Sequence, residues 1–206
     1  MRVAVLSESS ADEAALRIIV NAVLGVPTIP VELPLATRGW PAVRDVLPVI
    51  IKLLHYRTDA EGLAVVVDSN HTSVSEAGPK NRLQELQQII DKVRGELSPV
   101  ATRLPMKMAV GVASPAIEAW FLCKKSQDVN EANWEKGLRE KRDPYSKVEL
   151  KKRLYNVELP SLELERTRMV EMANELRNAL GVLESQFPVG FGSFRQQLRD
   201  WRRIAA

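Results

Sequence analysis

The chain has 206 residues, 45% of them hydrophobic and 5% aromatic, with a formal net charge of +3. That length suits one domain with a core large enough to need no staples, and the apolar content excludes a disordered chain. The single cysteine, Cys123, excludes a disulfide framework or a cysteine-rich zinc module and fits a cytoplasmic, reducing compartment.

The first residues, Arg2 to Ser7, read as a buried strand. Ser10-Ala11-Asp12-Glu13 has the form of a capping box and predicts a helix start. Ala15, Ile18, Ile19, Ala22 and Val23 continue it at helical spacing until Gly25. Thr28 to Leu35 is a proline-broken extended stretch suited to a sheet edge. Pro41 fits a first helical turn, and an amphipathic helix follows to about Tyr56, with Pro48 as a candidate kink. Gly62 to Val67 is apolar without alternation, the pattern of a parallel strand buried on both faces. A polar loop to Pro79 precedes a helix to about Leu97, and Lys107 to Val112 predicts a fourth strand. Ser114-Pro115 reads as a cap with proline at the first helical position, opening a helix from Ala116 to Leu122.

The remainder reads as helical: a second capping box at Ser146, one long helix from Ser161 to about Leu183, a break at Gly190 and Gly192, and a closing helix from Ser193 to Arg203. A composition shift near Ser126 divides residues 1–125, an α/β core, from residues 126–206, a basic helical extension packed on that core. No apolar run approaches the ~18 residues of a membrane span, so no membrane partner is expected.

Polar residues cluster where the strands end. Glu8 follows the first strand, with Asp12 four residues on; Asp68 ends the third, with Asn70 two residues on; Glu118 lies one turn into the helix after the fourth. Parallel strands would bring these side chains to the carboxyl edge of the sheet, where ligands of open α/β folds bind. Carboxylates meeting there repel one another unless a cation joins them, and an oxygen-only set favours Mg²⁺ or Mn²⁺ over Zn²⁺. Taken singly, Asp12 and Glu118 are also ordinary acids for a helix start, and Asp68 is an ordinary turn residue.

The basic charge lies in the second half. Lys136 to Arg153 carries eight Lys/Arg against three Asp/Glu, and Arg195 to Arg203 four against one. Lys136, Arg139, Lys141, Arg142, Lys151, Lys152, Arg153, Arg199, Arg202 and Arg203 are therefore candidates for a phosphate backbone, or form a solvated basic face. Trp201, among arginines, either stacks on bases or packs in a core. His55 and His71 read as surface or loop residues, and Cys123 as an inert thiol. No Walker motif is present, and Gly190-Phe191-Gly192 lacks the third glycine of a dinucleotide loop.

Glu8-Ser9-Ser10-Ala11-Asp12, Asp68-Ser69-Asn70 and Ile117-Glu118-Ala119-Trp120-Phe121-Leu122 together resemble the motifs of the Toprim fold, in the variety found in overcoming-lysogenization-defect (OLD) nucleases and small standalone relatives. Ser193-Phe194-Arg195 ahead of a basic helix is also similar to those relatives. The motifs cover about residues 1–125. The resemblance implies a Toprim-like Rossmannoid with a mainly parallel sheet of about four strands. It implies a Mg²⁺- or Mn²⁺-dependent nuclease with Glu8 and Asp68 catalytic and Glu8, Asp12, Asp68, Asn70 and Glu118 as metal ligands. It also implies a nucleic-acid substrate and an AAA- or ABC-type ATPase partner in mobile-element and anti-phage defence. Ser9 replaces the family's usual glycine and Asn70 its second aspartate, so the rival expectation is an inactive Toprim-like module that binds nucleic acid or protein.

Overall fold

The computed structural model describes residues 1–34, 38–76, 78, 81–101 and 103–203, apart from the Arg203 side chain. Strands β1 (Arg2–Leu6), β2 (Ile29–Pro30), β3 (Gly62–Asp68) and β4 (Lys107–Ala113) form one sheet in the order β2-β1-β3-β4. Every pairing is parallel; Leu6 lies opposite Val65, and Asp68 opposite Ala113. The carboxyl ends of β1, β3 and β4 therefore share one edge, and their following loops converge there.

Both faces of the sheet are covered, which is why β3 and β4 lack polar alternation. Val3, Val5, Ala64, Val66, Ala109 and Ala113 point into one core. That core is shared with α1 (Ser10–Leu24), α4 (Ile117–Leu122), α7 (Leu162–Leu176) and α9 (Gly190–Arg203). Ala4, Leu6, Leu63, Val65, Val67, Val110 and Val112 point into the other, against α2 (Gly39–Arg57) and α3 (Arg82–Glu96). The helices α5 (Glu131–Arg139), α6 (Lys147–Tyr155) and α8 (Leu180–Gln186) complete the chain. Trp134, Leu150 and Leu183 place all three against the first core. None of the described helices is long and apolar enough to cross a membrane.

Several expected boundaries move, each for a physical reason. The cap of α1 is Ser9, whose hydroxyl accepts the Asp12 N–H at 3.2 Å, one residue earlier than the Ser10 box. The Thr28–Leu35 stretch supplies only two residues to the sheet, and Leu35 lies outside the described residues. Pro48 sits within α2 and does not end it. Helix α3 starts at Arg82, capped by Asn81; Pro79 lies outside the described residues. Ser114-Pro115 is not the cap of α4: that position is Ala116, which has no side chain able to cap. The Ser146 box is present, with its hydroxyl accepting the Glu149 N–H at 3.1 Å.

The expected helix from Ser161 to Leu183 is two helices. The chain turns at 177–179, because α7 packs on α1 whereas α8 packs on α9. Gly190 and Gly192 do not break the chain; both lie in α9. Gly190 is required by a close approach, since a Cβ there would sit 2.0 Å from the Val112 carbonyl oxygen. The start of α9 is held by Glu131, whose two carboxylate oxygens accept the Val189 and Gly190 N–H groups at 2.8 Å each. Farther along, Gln197 bonds both the N–H and the C=O of Val110 on the outer edge of β4, at 3.1 and 3.3 Å, and Trp201 donates to the Met108 carbonyl. Trp201 is thus a core residue against Gly62 and not an exposed stacking platform.

Candidate functional site at the carboxyl edge of the sheet

The loops after β1, β3 and β4 are tied together by the acids themselves. The Ser7 hydroxyl donates to the Val66 carbonyl at 2.7 Å, fixing the exit of β1 against β3. Glu8 Oε1 then accepts the Asp68 N–H at 2.9 Å. Asp68 Oδ1 accepts the Ile117 N–H at 2.9 Å, supplying the cap that Ala116 lacks at the start of α4. Beyond β3, the Ser69 and Asn70 N–H groups donate to the carbonyls of Ala113 and Pro115, at 2.7 and 2.8 Å. The Ser114-Pro115 peptide in that loop is cis.

Glu8, Asp12, Asp68 and Glu118 line one cavity of about 240 Å³, together with Glu165, Lys147, Lys151 and Tyr155. Asp12 comes from the first turn of α1 and Glu118 from the first turn of α4. Both lysines come from one face of α6, four residues apart. Lys147 Nζ lies 2.6 Å from Asp68 Oδ2; Lys151 Nζ lies 2.7 Å from Glu165 and 3.9 Å from Glu118. Arg82 approaches the acids from outside that lining, with Nη1 3.6 Å from Glu8 Oε1 and its guanidinium 5.0 Å from the Trp40 ring centre. Arg82 also donates to the Asp68 carbonyl.

The cavity holds more negative charge than its cations offset. Burial, followed by repulsion from Asp68, pushes Glu118 up to about 7. Burial and then the charges of Asp68 and Glu118 push Asp12 well above its ordinary value. Burial and then Asp68 raise Glu8, against the pull of the Asp68 N–H, Lys147 and Arg82. For Lys147, burial works against the charge, yet Asp68, Glu8 and Glu118 outweigh it and hold the group above the ordinary lysine value.

The acids of the lining offer only oxygen donors, the kind a hard divalent cation takes, and the buried Tyr155 hydroxyl beside them has no hydrogen-bond partner among the described residues. In this arrangement Lys147 occupies Asp68 and Lys151 occupies Glu165. No group of three His, Cys, Asp or Glu side chains is drawn around one point among the described residues.

Asn70 lies outside this cavity. It adopts a left-handed conformation (φ 52°) that asparagine tolerates, and it lines a neighbouring cavity on Lys147. The basic candidates are largely engaged by carboxylates: Lys136 and Arg142 with Glu140, Lys152 with Glu158, Arg153 with Asp128 and Glu149, Arg199 with Glu184. Arg139, Lys141 and Arg202 are exposed, and the Arg203 side chain lies outside what the structure describes. Of those whose side chains are described, only Lys151 lines the acidic cavity.

Sequence reasoning missed Lys147, Arg82 and Tyr155. The i, i+4 spacing of Lys147 and Lys151 behind a capping box was a signal for one cationic helix face; nothing local marked Arg82 or Tyr155. His55 Nε2 lies 2.8 Å from the Ser98 carbonyl oxygen. Cys123 is buried, which pushes its thiol up to about 11. Comparison with protein-family models, curated proteins and solved structures finds no match to this chain.

Proposed function

We propose that the chain is a Mg²⁺- or Mn²⁺-dependent nuclease of Toprim type that hydrolyses phosphodiester bonds in nucleic acid. One observation carries this reading: Glu8, Asp12, Asp68 and Glu118, picked out at three separate strand ends, meet in a single cavity whose acids are short of positive charge. Those four acids would hold the ion. When bound, it supplies Lewis-acid polarisation of the phosphate and stabilises the attacking and leaving oxygens. Lys147 and Lys151 border the same cavity and are placed to pair with phosphate oxygens. Glu8, at the mouth of β1 in the same cavity and raised by burial and Asp68, would accept a proton from the attacking water. An AAA- or ABC-type ATPase partner in defence belongs to the proposal through the motif resemblance alone.

A second reading, a non-catalytic module binding nucleic acid or protein, is favoured by the ion pair that engages Asp68 with Lys147 at 2.6 Å. Calorimetry with Mg²⁺ and Mn²⁺ separates the two. Wild type should bind an ion and cleave oligonucleotides, and Asp68→Asn, which keeps an oxygen to cap α4, should do neither while remaining folded. Wild type that binds no ion and cleaves nothing leaves the module reading.

A further inference from the structure

A second cavity, of about 180 Å³, shares Lys147 with the acidic one. Pro115, Val148 and the buried Trp134 and Tyr145, whose ring centres lie 5.7 Å apart at an inclination of 33°, give it a mostly apolar lining, with Ser146 and the His71–Asp143 pair on its polar side. Asn70 stands among the lining residues with a side-chain amide that offers a donor and an acceptor side by side. Trp134 is buried, and its indole N–H has no hydrogen-bond partner among the described residues. The volume falls below the ~300 Å³ at which drug-sized ligand sites begin, so it suits one ring system and not an extended molecule.

These features combine with position. A phosphate paired with Lys147 would present its attached nucleoside to this second cavity. We propose that the cavity receives one nucleobase adjacent to a phosphate held at Lys147, with Asn70 reading the base edge. The site thereby selects single-stranded or unpaired nucleic acid, because a base in a duplex must leave its stack to enter. Asn70, which resemblance assigned to a metal, takes a substrate-reading role instead. The inference rests on the nuclease reading for the identity of its polymer, but its binding test does not require catalysis.

The test uses calorimetry on the full chain in EDTA, comparing adenosine 5′-monophosphate with ribose 5-phosphate. The nucleotide should bind at least tenfold more tightly. That advantage should shrink at least fivefold in Asn70→Gly, which keeps the left-handed backbone and removes the amide, and in Val148→Trp, which fills the cavity from its exposed side. Equal affinities, binding of neither ligand, or an advantage intact in both variants would each overturn the proposal. Mg²⁺-dependent cleavage is scored separately on single-stranded and duplex oligonucleotides of one sequence. Equal rates on both overturn the base site and leave the nuclease standing. Absence of cleavage alongside an intact base preference sinks the nuclease and supports the base site.

Discussion

Glu118→Gln should stabilise the protein at neutral pH, because the native carboxylate is held where it ionises with difficulty. Its pKa lies at about 7 in the folded chain against an ordinary 4.5. Between those values the native state keeps a proton that the unfolded chain has released. Stability contributed by this group is therefore fully present below about pH 4.5, declines as pH rises to about 7, and stays low above it. The full difference corresponds to about 3 kcal/mol. A buried amide lacks the pull of Lys151, so the net gain for the variant is put at about 2 kcal/mol. For a chain of this size that amounts to roughly 4–8 °C in melting temperature at pH 8. Thermal unfolding of both proteins at pH 5, 6, 7 and 8 reads the effect, and the gap should widen with pH and then level off. A gap that is constant with pH, or a wild type more stable at pH 8, would refute the account of the crowded cavity. Repeating the series with saturating Mg²⁺ extends the test: wild type should recover about 2–3 kcal/mol at a hundredfold excess over Kd, and the variant less.

Other outcomes follow from the same packing and charges. Lys147→Met should bind Mg²⁺ on the order of tenfold more tightly, since a competing cation leaves Asp68, yet cleave more slowly; weaker ion binding would count against a shared site. Gly190→Ala should lower stability by about 2–3 kcal/mol in urea unfolding, because its methyl group meets the Val112 carbonyl; a neutral result would mean α9 can shift outward freely. Glu131→Ala should cost about 2–4 kcal/mol by leaving the part-buried Val189 and the buried Gly190 N–H groups without acceptors, measured as a lowered denaturation midpoint. Asn70→Ala should destabilise by about 1 kcal/mol at its left-handed position, whereas Asn70→Gly stays within about 0.5 kcal/mol; equal losses in both would place the cost in the amide and not the backbone.

The parallel sheet and the convergence of the acids were legible because both rest on short-range signals. Unbroken apolar runs such as Leu63 to Val67 mark strands covered on two faces, and a polar residue at the end of each run marks the shared edge. What was illegible depends on distant chain. Lys147 acquires its meaning only when α6 folds back across the sheet edge, some 79 residues from Asp68. Arg177 to Ala179 carries no glycine or proline, so the separation of α7 from α8 had no local mark; the packing partners on either side impose it. Gly190 and Gly192 misled for the opposite reason. Glycine usually signals a break, but at Gly190 the requirement is space against Val112 inside a helix. Asn70 was weighed as a chemical substitution for aspartate, when its backbone angle already gives that residue type a reason to be there.

The Gln197 clasp on β4 decides how this molecule can meet other chains. An exposed edge strand is a template on which a foreign strand can add. Here the amide of one side chain imitates the next strand at Val110, and Trp201 fills the position beside it at Met108. Sheet extension along that border is thereby blocked without spending a strand on it. Gln197→Ala would reopen the border, and self-association through it would show as a rise in light scattering with protein concentration.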